Sequence, residues 1–503
     1  MPSFELLALI CLIAMAVGNL MVGVINDAVN FVGPALGAKV AKRKTIFMVA
    51  GLGLIIGAAF SDGIIEVARK GIFHPEFFTL NEAIILFTAV ALTDIVILDL
   101  FSTFGLPTST TVTVIFELFG AALALAWVKT GTLAEAFTAI NVESAVKVMS
   151  GIFLSIVVAF LVGLLIQFIT RAVFSFKYQP MMKKIGFLWT GLSLTALFYF
   201  ILIQGGKHAN FLTSDHKQWI VDNSFSILGA SFVVLSLISL ILIKRNFNIL
   251  KLIILIGTCA LATAFAGNDL ANFIGVSIAG THAYLGNDLA GTLPTPTIIL
   301  ILAGLIMSFT MYFSKKADTV TNMSLKLASH EKEIKKVWGT NRFVEGLCNM
   351  VIYLFEGFTK ILPKSFREWL GTRFDSKDKD FAGDFDLLRG SVALMVSAAI
   401  ISLATAYKLP LSTTFVTFIV VMATALADGA WSRDCAPSRV SGILTIVAGW
   451  MFTAVIATVA AGLVVTIIHY LQSWGLAIVV VAVVAIIYKL LKVHKKLSAA
   501  KGI

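Results

Sequence analysis

Two short polar motifs, each present twice, interrupt a chain that otherwise suits lipid. Asn26, Asp27 and Asn30 stand in "VINDAVNFVGPALG" (24–37), and Asn268, Asp269 and Asn272 stand in "AGNDLANFIGVSIAG" (266–280). "GLPTSTTVT" (105–113) likewise matches "KLPLSTTFVT" (408–417), both built on Leu-Pro, one residue, then Ser-Thr-Thr. In Asn-Asp-x-x-Asn the two asparagines are four apart, so on a helix they share one face with the aspartate beside it. Gly33 and Pro34 follow the first copy and Gly267 precedes the second, a pattern that predicts interrupted helices with freed carbonyl oxygens. A carboxylate, amides and such carbonyls are hard oxygen donors suited to a small cation such as sodium, with a proton on the Asp as the competing reading. In Leu-Pro-x-Ser-Thr-Thr, the Pro suits the first turn of a new helix whose free N–H groups and three hydroxyls would hold an anion without a buried Arg or Lys. Either motif alone would read as an N-cap or as interhelical glue. Both of them, twice and in the same order, are not explained that way.

The elements that must position them are membrane helices. Hydrophobic residues make up 58% of the 503 residues and charged ones 13%, with a mean hydropathy of +0.93, far from the balance of a soluble globular chain. Apolar stretches fall at 4–25, 45–66, 82–101, 110–128, 145–170, 184–203, 224–243, 249–266, 296–313, 387–407, 411–428, 440–469 and 474–491. The expected fold is therefore an all-α polytopic membrane protein with 11–13 membrane segments, those around 82–128 and 387–428 being candidates for re-entrant hairpins. The first stretch lacks a basic leader and a small-residue cleavage site and reads as a spanning helix. The net charge of +11 sits in clusters such as Lys39 to Lys44, Arg171 to Lys184, Lys244 to Lys251 and Lys489 to Lys496, which fall on one side if the N-terminus is outside and the C-terminus inside. That distribution is topological and speaks against nucleic acid. Four scattered cysteines (Cys11, Cys259, Cys348, Cys435) show neither metal spacing nor a disulfide framework.

The duplicated motifs divide the chain. They lie 82 residues apart in the first half (27 to 109) and 143 in the second (269 to 412), the excess matching a charged insertion from Ser314 to Asp386. Residues 1–170 form the first half, 171–248 connecting helices, 249–313 the start of the second half, 314–386 a cytoplasmic loop with an interfacial helix over 343–362, and 387–503 the remainder. Seven segments precede the second copy, so its first helix runs opposite to that of the first. This is the inverted repeat of many secondary transporters, whose substrate sits near the midplane where the repeats meet. "GNDLAG" (286–291) imitates the motif but reads as an exposed turn. Asp94, Asp99 and Glu117 would line a pathway or pair with cations, and Asp428, Arg433 and Arg439 would form a salt-bridged gate or end cap.

These motifs resemble the duplicated G-A-N-D-V-A-N and P-V-S-T-T signatures of the inorganic phosphate transporter family, over both halves apart from the insertion. The resemblance implies a homodimer that moves phosphate with sodium or, in some bacterial members, protons. It implies that Ser109, Thr110, Thr111, Ser412, Thr413 and Thr414 contact phosphate, joined by Asp27 and Asp269. Asn26, Asp27, Asn30, Asn268, Asp269 and Asn272 would shape the sodium sites. The signature glycines are replaced by Val24 and Ala266, Val112 and Phe415 stand where a His often follows Ser-Thr-Thr, and 45–60 and 297–313 carry no acid, which leaves the coupling ion open. The expected protein is a phosphate symporter without enzymatic activity or cofactor, in the cytoplasmic membrane of a bacterium, with membrane lipid as its surroundings. A sulfate-type oxyanion permease is the alternative, and a non-transporting receptor or scaffold acting through 314–386 a more distant one.

Overall fold

The computed structural model describes residues 3–61, 71–199, 213–287, 295–328, 363–374, 384–429 (without 408 and 410) and 436–501, with scattered positions between 342 and 353. Arg433 and the helix expected over 343–362, apart from those positions, lie outside the described residues. The first half runs α1 (Phe4–Gly37), α2 (Arg43–Ala59), α3 (Leu80–Phe104), α4 (Thr110–Thr130) and α5 (Val142–Phe174), followed by α6 (Gln179–Phe198) and α7 (Ser224–Lys244). The second runs α8 (Ile249–Tyr284), α9 (Thr297–Phe313), α10 (Lys315–Ala328), α11 (Leu387–Ala406), α12 (Thr413–Ala427) and α13 (Ala436–Lys501). Every apolar stretch of the sequence coincides with one of these helices, the last two forming the arms of α13 on either side of Gln472 (φ 47°, ψ −123°).

Eight described helices are long and apolar enough to cross a membrane, nine if α9 and the start of α10 count as one bent span. The smaller number than 11–13 arises because α13 carries two stretches, because α2 (17 residues) and α12 (15 residues) fall short of the roughly 20 residues of a straight span, and because α6, with Lys183 and Lys184 near its start, is less apolar. Burial separates a core from a lipid-facing rim. The most apolar windows of α3 and α8 are 83% and 72% buried, those of α7 and α13 only 11% and 22%, as helices whose outer faces meet acyl chains would be. Helices approach closely where side chains vanish: a Cβ on Gly53 or Gly57 of α2 would strike the Cys259 or Thr263 backbone of α8.

The two repeats cross antiparallel at their motifs. Phe31, four residues after Asp27, packs on Phe265, four before Asp269, with ring centroids 4.9 Å apart. Gly23, four before Asp27, lies against the ring of Phe273, four after Asp269. Only chains running in opposite directions give this exchange, so α1 and α8 meet as an inverted pair.

Two features depart from a solvated loop and a simple end cap. α9 turns by 73° into α10, which packs beneath α1 and α3 instead of entering solvent, burying Ala317, Val320 and Leu325. Lys316 Nζ donates to Asp99 Oδ1 (2.6 Å) and Thr103 Oγ1 (3.2 Å), and Arg43 Nε to Asp318 Oδ1 (2.7 Å). Arg171, by sequence one of a loop cluster, is fully buried at the end of α5. Its guanidinium donates to Asp428 Oδ1 and Oδ2 (2.9 and 2.6 Å) and to Asp386 Oδ2 and Oδ1 (2.8 and 3.1 Å), with Gln167 adding a bond to Asp428 (2.7 Å). Asp386 caps α11 and Asp428 follows α12, so one side chain of the first half clasps both ends of the second hairpin.

Candidate functional site

The expected helix interruptions do not occur: α1 runs through Gly33 and Pro34 to Gly37, and α8 through Gly267 to Tyr284. Pro34 falls in the last turn, where its missing N–H removes one bond near an end. The polar side chains are satisfied by the hairpin turns instead, so the backbone has no need to open. Those turns are built as the Leu-Pro-x-Ser-Thr-Thr pattern dictates. Gly105 ends α3 in the left-handed region (φ 73°), and Ser109 Oγ accepts from Val112 N (3.2 Å) to start α4. Ser412 Oγ accepts from Phe415 N (3.2 Å) to start α12 in the same way. Both serines are thus N-caps, and the following threonines point their hydroxyls at the aspartates.

Asp27 Oδ1 accepts from the amides of Asn26 (2.9 Å) and Asn30 (3.3 Å) and from the Thr414 hydroxyl (2.9 Å), and Oδ2 accepts from Thr110 (3.1 Å). Asp269 Oδ1 accepts from Asn272 (2.8 Å), Thr111 (3.3 Å) and Thr110 (3.4 Å), with Thr413 as a further hydroxyl partner. Each carboxylate therefore draws hydroxyls from both hairpins. The single Thr110 proton lies within reach of both carboxylates, which places them side by side. The pseudo-twofold extends outward: Asn30 donates to Thr414 (3.1 Å) as Asn272 does to Thr111 (2.9 Å).

All eight substrate candidates converge here, as do the six asparagine and aspartate positions expected to shape a cation site. Asn26 is held by the Thr108 backbone, donating to its carbonyl (2.7 Å) and accepting from its N–H (3.3 Å), and Asn268 donates to Thr405 (3.2 Å). Ser102, which donates to Asn26 Oδ1 (3.5 Å), stands seven residues before Ser109, as Thr405 does before Ser412. That equal offset is a sequence signal which the motif reading missed. Thr417, bonded to Asn30 Oδ1 (3.0 Å), and Trp450 were equally hidden. The Trp450 indole donates to Pro107 O (2.9 Å) and stacks on Phe415 at 3.9 Å, so one ring touches both anion turns.

The donor set is one of hard oxygens. Among the described residues no group of three or more His, Cys, Asp or Glu gathers to hold a metal ion. Asp269 Oδ2 is buried and receives no hydrogen bond of good geometry, which leaves a lone pair of the kind a hard cation takes. Beside the site lies a half-open cavity of about 30 Å³ lined by Asn30, Pro34, Thr414, Thr417 and Leu325 of α10. It holds a water or two and excludes a tetrahedral oxyanion.

Comparison with known proteins agrees with this geometry. The profile described as the phosphate transporter family matches residues 8–327. A protein of Thermococcus kodakarensis named as a phosphate permease is 28% identical over 56% of this chain and 68% of its own length. A phosphate permease by name from Helicobacter pylori is 27% identical over 59% of this chain and 56% of its own. A solved sodium-dependent phosphate transporter has the same fold, with a TM-score of 0.66 at 17% identity, covering 92% of this chain and 99% of that one. With its profile matched over more than half its length and its duplicated motifs brought together, the chain belongs to the phosphate transporter family.

Proposed function

We propose that this integral membrane protein imports inorganic phosphate by cation symport, with sodium as the driving ion, through alternating access. The observation that carries the reading is the convergence of Thr110, Thr111, Thr413 and Thr414, from two facing helix N-termini, on one pair of carboxylates. Helix N-termini and hydroxyls are anion donors. Two neighbouring carboxylates repel an anion and each other unless cations neutralise them. Phosphate and cation must therefore bind together, which is the physical content of symport.

The hydroxyl bonds suggest an order. Thr110 and Thr414 spend their protons on Asp27, and Thr111 divides its proton between Asp269 and the closer Leu411 carbonyl (3.1 Å), so they cannot serve phosphate until something else takes the carboxylates. Sodium at Asp27 and Asp269, with the amide oxygens of Asn26, Asn30, Asn268 and Asn272 as further ligands, would release them. Serine caps Ser109 and Ser412 keep both helix ends in place while the threonines turn. The hairpins α3–α4 and α11–α12 are read as re-entrant, one repeat rocks against the other, and two copies assemble as a homodimer with N-termini outside.

The test is radiolabelled phosphate uptake into proteoliposomes, with sodium and proton gradients imposed separately and sulfate as competitor. Sodium-driven uptake that excess sulfate does not block is expected. Absence of uptake under either gradient overturns the reading, and equal competition by sulfate favours a general oxyanion permease, since sulfate has no proton to donate to Asp27 or Asp269.

A further inference from the structure

Among the described residues, Asp94 of α3 and Glu117 of α4 form a buried polar pair that the candidate site does not use. Both are buried (1% and 0% exposed), and all four carboxyl oxygens lack a hydrogen-bond partner. They lie within electrostatic reach of each other, on the two helices that carry the first anion turn. α1 adds a third orphan beside them: Asn19 donates its amide to Ala91 O (3.2 Å), Gly18 abuts Ile95, and the buried Asn19 Oδ1 accepts nothing. So the turn of α3 that holds Asp94 is flanked by an unused acceptor.

The cations on the surrounding elements are engaged or remote. Lys316 of α10 pairs with Asp99, and Lys129 of α4 pairs with Glu82 of α3. On α10, Asp318 pairs with Arg43. α1 contributes Glu5 and Asp27, α8 contributes Lys251, Asp269 and His282, the short stretch after α4 contributes Glu135, and α13 has no charged or His residue between Arg439 and His469. A lone ionised carboxylate in such surroundings is strongly disfavoured, and a pair more so. Hard metal cations ask for about six oxygens. Neighbouring hydroxyls give their protons to their own helices, Thr93 to Ala89 O (2.8 Å) and Thr113 to Ser109 O (2.9 Å), so neither donates to the carboxyls. A proton needs only one acceptor, and the oxygens of Asp94 and Glu117, with Asn19 Oδ1, are all unused ones.

We propose that Asp94 and Glu117 form a proton-binding carboxyl pair, outside the substrate site, that loads and releases a proton as the first hairpin moves. In this pair a proton on one carboxyl is donated to the other, as carboxyl dyads do. Its transport readout rests on the phosphate symport reading, whereas its spectroscopic readout does not. Protein in saturating sodium and phosphate, which occupy Asp27 and Asp269, is examined by infrared difference spectroscopy between acid and alkaline pH. A protonated-carboxyl C=O band is expected in wild type and lost in Glu117→Gln and in Asp94→Asn. In proteoliposomes at fixed sodium, acid outside stimulates wild-type uptake, and each variant loses that stimulation with its sodium half-saturation unchanged. Phosphate titrates over the same range, so each pH point compares variant with wild type. A wild-type protein without the band overturns the proposal, and so does a variant that keeps both band and stimulation. A variant whose sodium half-saturation shifts tenfold instead marks a sodium site and also overturns it. Should one variant fail to reconstitute, the other and the wild-type spectrum still decide.

Discussion

Asp269→Asn is expected to abolish sodium stimulation of phosphate binding and to reduce sodium-driven uptake about tenfold to a hundredfold. The size follows from the roughly 1.5–3 kcal/mol that hydrogen bonds to a charged group contribute. Asp269 is chosen over Asp27 for a geometric reason. Asp27 has partners on both oxygens, whereas Asp269 Oδ2 has none and is the better placed to take a cation. The amide is isosteric, keeps the Oδ1 acceptor for Thr111 and Asn272, and replaces the cation-binding Oδ2 and its charge with an NH2 donor. Isothermal titration of phosphate with and without sodium reads the effect directly. Wild-type protein should bind phosphate more tightly in sodium, and the variant should show one affinity in both. An Asp269→Asn protein with undiminished sodium dependence would remove the carboxylates from the coupling scheme.

The second large effect lies far from the site. Arg171→Met is expected to destabilise the fold by up to about 3–5 kcal/mol, because it removes the charge-assisted bonds to two buried carboxylates, Asp386 and Asp428, and leaves them the longer-range attraction of Arg389. Lys at 171 should rescue little, since one ammonium cannot reproduce the four bonds made by the guanidinium fork to two acids. Adding Asp428→Asn to Arg171→Met should recover part of the loss by removing one of the stranded charges. Thermal unfolding of the detergent-solubilised proteins, ranked wild type above the double variant above Arg171→Met, checks it. A single variant as stable as wild type would show the clasp to be energetically neutral.

What the sequence disclosed depended on repetition. Asp27 and Asp269 were legible as one site because each sits in a copied motif, and the order of copies along the chain implied the antiparallel crossing that Phe31, Phe265, Gly23 and Phe273 display. Positions outside the copies were opaque. Arg171 has the appearance of a topogenic loop charge, and nothing in its neighbourhood announces acids 215 and 257 residues away. Pro34 and Gly267 promised broken helices, yet local propensity yielded to tertiary partners, since Thr110, Thr414 and Thr111 saturate polar groups that an opened backbone would otherwise have served. Lys316 and Leu325 were read as loop, because the burial of α10 depends on the bend after Phe313 and not on its own polar composition.

Trp450 has a consequence for observation. Its indole is hydrogen-bonded to the turn before Ser109 and stacked on the residue after Thr414, so any change in the distance between the two turns alters the polarity and quenching around one fluorophore. Among the described tryptophans, it is the one that touches both turns. Phosphate added in sodium should therefore change the emission, and Trp450→Phe should silence the change while the other tryptophans continue to emit. The transporter would carry its own optical reporter, through which each step of loading can be timed without a label.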